Sequence, residues 1–172
     1  MNMYKLTKNY YSGFTRFYFN STLESIINIG DLNIGSKKIL DFGCGFGELK
    51  KKVKNTVYNY DKDMAYSDYD DWKILDFNYF VANQVTYLFS KKELIELIEN
   101  IEKINRETIL IIGISKQNLF SKILKNILNF KNAHSHTKLS YKEQTNIFNQ
   151  KCILIKKIDN YFMNSILLYK FK

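Results

Sequence analysis

The chain has 172 residues, 45% of them hydrophobic and 25% charged, and 26 Lys and Arg against 17 Asp and Glu give a net charge of +9. That length suits one domain with one sizeable core, and the balance excludes a chain too polar to fold. Two cysteines exclude a disulfide scaffold, and no apolar run approaches the roughly 18 residues that span a bilayer.

In chain order, the opening stretch MNMYKLTKNYYSG holds no apolar core of the kind a signal peptide needs, so a cytoplasmic protein is expected. Ser21 and Glu24 stand at capping-box spacing and predict a helix over 21–28. Residues 37–42 (KKILDF) read as a short buried strand, broken by the glycines of GCGFG. A helix is predicted over 48–55, with Lys50, Lys51, Lys52 and Lys54 near its C-terminal end, where cations are favoured. Residues 57–60 form a second short strand that ends at Asp61.

Residues 79–88 (YFVANQVTYL) begin as a third strand. Ser90 then caps a helix with Glu93 closing the box, and Leu94, Leu97, Ile98, Ile101 and Ile104 make its apolar stripe. Residues 108–114 (TILIIGI) read as a buried strand, followed by a helix with Leu119, Phe120, Ile123, Leu124, Ile127 and Leu128 on one face. Ser140 and Glu143 mark one more helix start, and 151–158 and 165–171 are predicted strands close enough to pair antiparallel. Strands joined by helices, then an antiparallel end, predict an α/β domain with a mostly parallel sheet.

The densest local signal is Asp41-Phe42-Gly43-Cys44-Gly45-Phe46-Gly47, set between a strand and a helix. Glycines there allow tight turns and close approach of backbone to a ligand. A dinucleotide fingerprint fails in both registers, because Glu48 or Lys50 falls where the third glycine belongs. Asp41 argues against it too, since a carboxylate would repel a pyrophosphate. A P-loop is excluded because no Gly-Lys-Ser/Thr follows. A carboxylate at a strand end suits a ligand carrying positive charge. Asp61, ending the next strand, should face the same crevice, where its oxygens can accept hydrogen bonds from ribose hydroxyls.

ILDFGCGFG resembles the first motif of the class I (Rossmann-like) S-adenosylmethionine-dependent methyltransferases, hydrophobic-Leu-Asp-x-Gly-x-Gly-x-Gly, and Asp61 resembles the acid that ends their second strand. FNYFVANQVTYL and TILIIGIS look like the fourth and fifth strands of that family. The segment NAHSHTKLSYKEQTNIFNQKCILIKKI is similar to the run from a His-containing loop into the sixth strand of many small-molecule members. The resemblance implies a single methyltransferase domain over 1–172, with 1–34 a helical lid segment and 35–172 the cofactor-binding core. It also implies a Rossmann-like sheet with an antiparallel C-terminal strand pair. The chain departs from the family between the second and fourth strands, where the stretch after Asp61 is too short for a helix and a strand.

What the resemblance implies for the site is S-adenosylmethionine, with S-adenosylhomocysteine as product, held by Asp41, Gly43, Cys44, Gly45, Gly47, Asp61 and Lys62. Asn83 and Gln84 would lie beside the methyl group at the end of the fourth strand. Asp71 and Trp72 can supply the adenine contact of the shortened region, or form a solvated turn and a core residue respectively. Methyl transfer from a sulfonium needs positioning above all, and a base only where the acceptor must lose a proton. His134, His136 and Tyr87 are the candidates beside the acceptor, with exposed loop histidines and a core tyrosine as the alternatives. The aromatic run from Tyr10 to Phe19 reads as a lid over an apolar or ring-shaped acceptor, as a helix packed on the sheet, or as an aromatic–basic nucleic-acid surface. No Asn/Asp-Pro-Pro-Tyr motif and no Pro-Cys nucleophile exists in a chain without proline, so two signatures of nucleic-acid base methylation are missing. A small-molecule acceptor is therefore expected. RNA or protein is the alternative that the basic charge permits, and a catalytically silent cofactor-binding scaffold is the third.

Overall fold

The computed structural model describes residues 15–116, 137–160 and 163–172. Six strands form one sheet in the order β2-β1-β3-β4-β6-β5. They are β1 (Lys38–Phe42), β2 (Thr56–Tyr60), β3 (Tyr79–Asn83), β4 (Ile109–Ser115), β5 (Cys152–Asn160) and β6 (Asn164–Phe171). The first four run parallel, β6 lies antiparallel to β4, and β5 antiparallel to β6. The helices are α1 (Thr15–Ile29), α2 (Glu48–Lys52), α3 (Lys91–Ile104) and α4 (Tyr141–Lys151), with single 3-10 turns at Trp72–Ile74 and Thr86–Leu88. The predicted helix carrying Leu119 to Leu128 lies outside the described residues. Among the described residues no helix is long and apolar enough to cross a membrane.

Alternation along the strands sends neighbouring side chains to two cores. Ile39, Val57, Val81, Ile111 and Ile166 pack under α1 and α2, with Leu23, Ile26, Ile29 and Leu49 from the helices. Leu40, Phe80, Ala82, Leu110, Ile112 and Leu167 face α3 and α4, meeting Leu94, Leu97, Ile98, Ile101, Ile147 and Phe148. Full burial of such side chains is worth roughly 1.5–3 kcal/mol each, so the two-sided sheet is held from both faces. Two of the three predicted capping pairs form: Ser90 accepts from Glu93 N and Ser140 from Glu143 N, with each glutamate reaching back to its cap, whereas Ser21 lies inside α1.

Two helices differ from the sequence reading. Helix α1 is already formed at Thr15, ahead of Ser21, because Tyr18, Thr22, Ile26 and Ile29 recur on one face against the sheet. Helix α2 ends at Lys52 rather than at 55, since Val53 is extended. The third strand stops at Asn83, as expected, where Gln84 takes a left-handed φ of 54° that no strand continues.

The connection between β2 and β3 carries no strand, so β2 is a sheet edge. One residue serves in place of a strand. Asp68 N donates to Asn59 O at 2.9 Å, and the Asp68 carboxylate accepts from Asn59 N at 3.1 Å. Both outward polar groups of Asn59 are thereby satisfied, which a bare edge would leave to solvent.

Candidate active site

Strand β1 delivers Asp41 to the C-terminal end of the parallel sheet, beside the turn that follows it. The residue is 6% exposed, and its carboxyl has no hydrogen bond or ion pair among the described residues. Burial, and then the charge of Asp61, push its carboxyl up to about 7. The backbone turns at once: Gly43 N and Cys44 N both donate to Tyr60 O, at 2.7 and 3.2 Å, which ties the glycine loop to the end of β2.

The glycines of the loop are required for different reasons. Gly43 has φ 75°, and a Cβ there would overlap the Val85 side chain. Gly47 has φ 66° at the start of α2, with Asn59 Nδ2 2.8 Å from where its Cβ would stand. Gly45 has φ 51° and nothing within 4 Å of its would-be Cβ, so it borders open space. Cys44 is half-buried, and its thiol donates to Tyr66 O at 3.3 Å. Burial and the acids Asp41, Asp61 and Asp68 push that thiol up, so it stays protonated and is no nucleophile.

Asp61 follows β2 and faces the loop. Its Oδ2 accepts from Gly45 N at 3.0 Å and its Oδ1 from Asp63 N at 3.0 Å. Each oxygen keeps a lone pair for a further donor. Two carboxylates thus converge on the glycine loop, and neither is ion-paired among the described residues. Lys62 is exposed beside them. Asp71 is exposed and its Oδ1 accepts from Lys73 N at 3.0 Å, capping the short turn. The structure places Trp72 in the core, 6% exposed, edge-on to Phe42 at 5.7 Å and near Phe77 and Phe80. Burial, then Asp71 and Asp61, push the Tyr60 phenol up, so Asp71 lies within electrostatic reach of the same strand end.

At the end of β3, the side-chain oxygen of Asn83 is buried without a partner and crowds Gly113 of β4, where a Cβ would collide with it. A glycine inside the strand TILIIGI marks such a close approach and was a usable signal. Gln84 N donates to Gly113 O at 2.8 Å, and Gln84 Nε2 donates to the Tyr18 hydroxyl of α1 at 3.4 Å. Burial is the largest influence on Tyr18, pushing its phenol up to about 12. Tyr18 therefore stays a neutral hydrogen-bonding group beside the strand end. Sequence spacing could not pair it with a residue 66 positions away. Tyr87 sits in the Thr86–Leu88 turn, where its carbonyl accepts from Lys138 N at 2.9 Å. His134 and His136, and the aromatic residues from Tyr10 to Phe14, lie outside the described residues. Among the described residues no group of His, Cys, Asp and Glu is placed to hold a metal ion.

Among the described residues, Lys62 and Lys116 follow the ends of β2 and β4 at this end, and Lys116 is paired with Asp159. Lys50, Lys51 and Lys52 ride on α2 beside β2, and Lys50 and Lys51 are paired with Asp68 and Glu48. Lys156 and Lys157 lie on β5, at the opposite edge of the six-stranded sheet. With strands about 4.8 Å apart, five spacings put the two groups on the order of 24 Å apart.

No protein-family model and no curated protein matches the chain. Solved structures do. The PH0226 protein of Pyrococcus horikoshii OT3 aligns with a TM-score of 0.74 at 12% identity, over 100% of this chain and 99% of that one. Magnesium protoporphyrin IX methyltransferase from Synechocystis PCC 6803, with bound S-adenosylhomocysteine, aligns at 0.67 and 16% identity, over 97% and 93%. The N-methyltransferase NodS of Bradyrhizobium japonicum WM9 aligns at 0.61 and 10%, over 90% and 96%. At these identities the likeness establishes the fold alone: a Rossmann-like α/β fold shared with solved S-adenosylmethionine-dependent methyltransferases.

Proposed function

We propose that this chain, built on the class I methyltransferase fold, transfers a methyl group from S-adenosylmethionine to an oxygen, nitrogen or carbon of a small metabolite, sugar, lipid or natural-product intermediate. One observation carries the reading. Among the described residues, Asp41 is a buried carboxyl without a cationic partner, set beside a second carboxylate and a glycine turn that borders open space. Such a pair disfavours phosphate-bearing cofactors and favours a ligand that brings positive charge.

The residues present fit that cofactor. Asp41 and the glycine turn would hold its ammonium end, Asp61 would accept from its ribose hydroxyls, and Lys62 and Asp71 flank the adenine side. When bound, S-adenosylmethionine supplies an electrophilic methyl group on a sulfonium. The remaining work is positioning and exclusion of water. Asn83 and Gln84 at the end of β3, with Tyr18 behind Gln84, would orient the acceptor through neutral hydrogen bonds. His134, His136 or Tyr87 would take a proton if the acceptor carries one. The free thiols Cys44 and Cys152 suit the reducing environment of the cytoplasm. Among the described residues, Lys50–Lys52 and Lys156–Lys157 lie at opposite edges of the sheet, which favours a small acceptor over RNA, whose binding would need them together.

The test is calorimetric titration with S-adenosylmethionine and S-adenosylhomocysteine of the wild type and Asp61→Ala. Micromolar binding is expected for both ligands. A loss on the order of 100-fold is expected in the variant, from two charge-assisted hydrogen bonds. A folded protein that binds neither ligand would overturn the reading and leave the fold alone standing.

A further inference from the structure

Asp41 is a buried carboxyl, 6% exposed, at this end of the sheet, and among the described residues no cation is paired with it. The titratable groups around it come from several elements. Asp61 faces it from the end of β2, and Cys44 from the glycine loop. Behind the thiol lies Asp68, which Lys50 of α2 neutralises at 2.7 Å. Helix α1, on the same face of the sheet, brings the neutral phenol of Tyr18, and the end of β3 brings only the amides of Asn83 and Gln84. An ionised carboxylate with no partner in a poorly solvated place is costly, and a second carboxylate nearby raises that cost.

We infer, resting on the methyltransferase reading, that this chain binds S-adenosylmethionine with release of one proton, from the Asp41 carboxyl to solvent. The ammonium and sulfonium of the ligand supply the positive charge that the site lacks, so the bound state holds Asp41 as a carboxylate. The group titrates at about 7 in the free protein. Affinity therefore falls roughly tenfold for each unit below that pH, and it falls again above about 8, where the α-ammonium of the ligand itself loses its proton. S-adenosylhomocysteine has no sulfonium charge, so its affinity falls less steeply. The preference for substrate over product then widens as pH rises.

The experiment is calorimetry on the full chain at about pH 6 and about pH 8.5, each in two buffers of different ionisation enthalpy, which counts protons directly. About one proton released per S-adenosylmethionine is expected at the lower pH, and at the higher no release but uptake by the amine of the ligand. Imidazole is the other side chain that ordinarily changes charge near neutral pH, so the count is repeated on H134Q/H136Q, where the release should persist. Asp41→Asn should release no proton on binding at about pH 6. Should that variant fail to bind, the wild-type and histidine-variant counts still decide. Binding without proton release at about pH 6, or release that disappears in H134Q/H136Q, overturns the inference and leaves the methyltransferase reading intact. Absence of binding at both pH values overturns the reading itself.

Discussion

At the scale of one residue, Asp41 ties stability to pH in the direction opposite to most carboxyls. Its ordinary value is 3.8 and the folded protein holds it up to about 7, by burial and then by the charge of Asp61. Between those values the folded chain keeps a proton that the unfolded chain has lost. The contribution is therefore complete below about 3.8 and is lost as pH rises through about 7. The shift corresponds to on the order of 4 kcal/mol at its limit. Asp159 works the other way. Burial raises it, but Ser165, Lys116 and Lys157 more than offset that and hold it down to about 2. Its stabilisation disappears only below the ordinary carboxylate range, outside the window that Asp41 controls. The ligand-free protein should thus melt at a lower temperature at about pH 8 than at about pH 5.5, measured by calorimetry or circular dichroism. Asp41→Asn should raise the melting temperature at the higher pH and change little at the lower. A variant that melts below wild type at pH 8 would show that the Asp41 charge is balanced in the folded chain.

At the scale of elements, the glycine turn separates a packing requirement from a ligand requirement. Gly43→Ala meets both a left-handed φ and the Val85 side chain, so denaturant unfolding should show a loss well beyond the ~1–2 kcal/mol of backbone strain alone. Gly45→Ala meets the same strain but open space, so it should lose only about 1–2 kcal/mol of stability. Its larger effect should be on S-adenosylmethionine affinity, because the added methyl enters the space where the ligand would approach. Equal stability losses in the two variants would contradict the distinction.

The same elements show what the sequence could reveal. Ser90 with Glu93 and Ser140 with Glu143 were legible because cap and partner are three residues apart and need nothing else. Ser21 with Glu24 carries the same pattern, yet Ser21 lies inside α1, with its carbonyl accepting from Ser25 Oγ at 2.9 Å. There the packing of Tyr18, Thr22 and Ile26 on the sheet overrode a local signal. Asp41 and Asp61 were legible as acids ending consecutive strands of a parallel sheet. The Tyr18–Gln84 bond and the Asp68 substitute for an edge strand were not, since each depends on where the chain returns after a turn that no motif specifies.

At the scale of the whole molecule, the proposed acceptor wall rests on how α1 is held across the sheet. Thr22 Oγ1 donates to Tyr18 O at 3.0 Å and accepts from Asn160 Nδ2 at 3.1 Å and Asn164 Nδ2 at 3.4 Å, all three residues being buried. The two asparagines lie at the end of β5 and the start of β6, so this network joins the N-terminal helix to the C-terminal strand pair. The cofactor acids sit on the other side of the sheet order, at the ends of β1 and β2. Thr22→Val keeps the shape and removes the hydroxyl, leaving two buried amides without an acceptor at about 1–3 kcal/mol each. Unfolding in denaturant should show a loss of about 2–4 kcal/mol, and hydrogen exchange should speed up in α1. Affinity for S-adenosylmethionine should stay within about threefold of wild type, since neither Asp41 nor Asp61 touches the network. A parallel collapse of cofactor affinity would mean that α1 shapes the cofactor site as well as the acceptor wall. Unchanged stability would mean that the amides find other acceptors, and that the helix is held by Leu23, Ile26 and Ile29 alone.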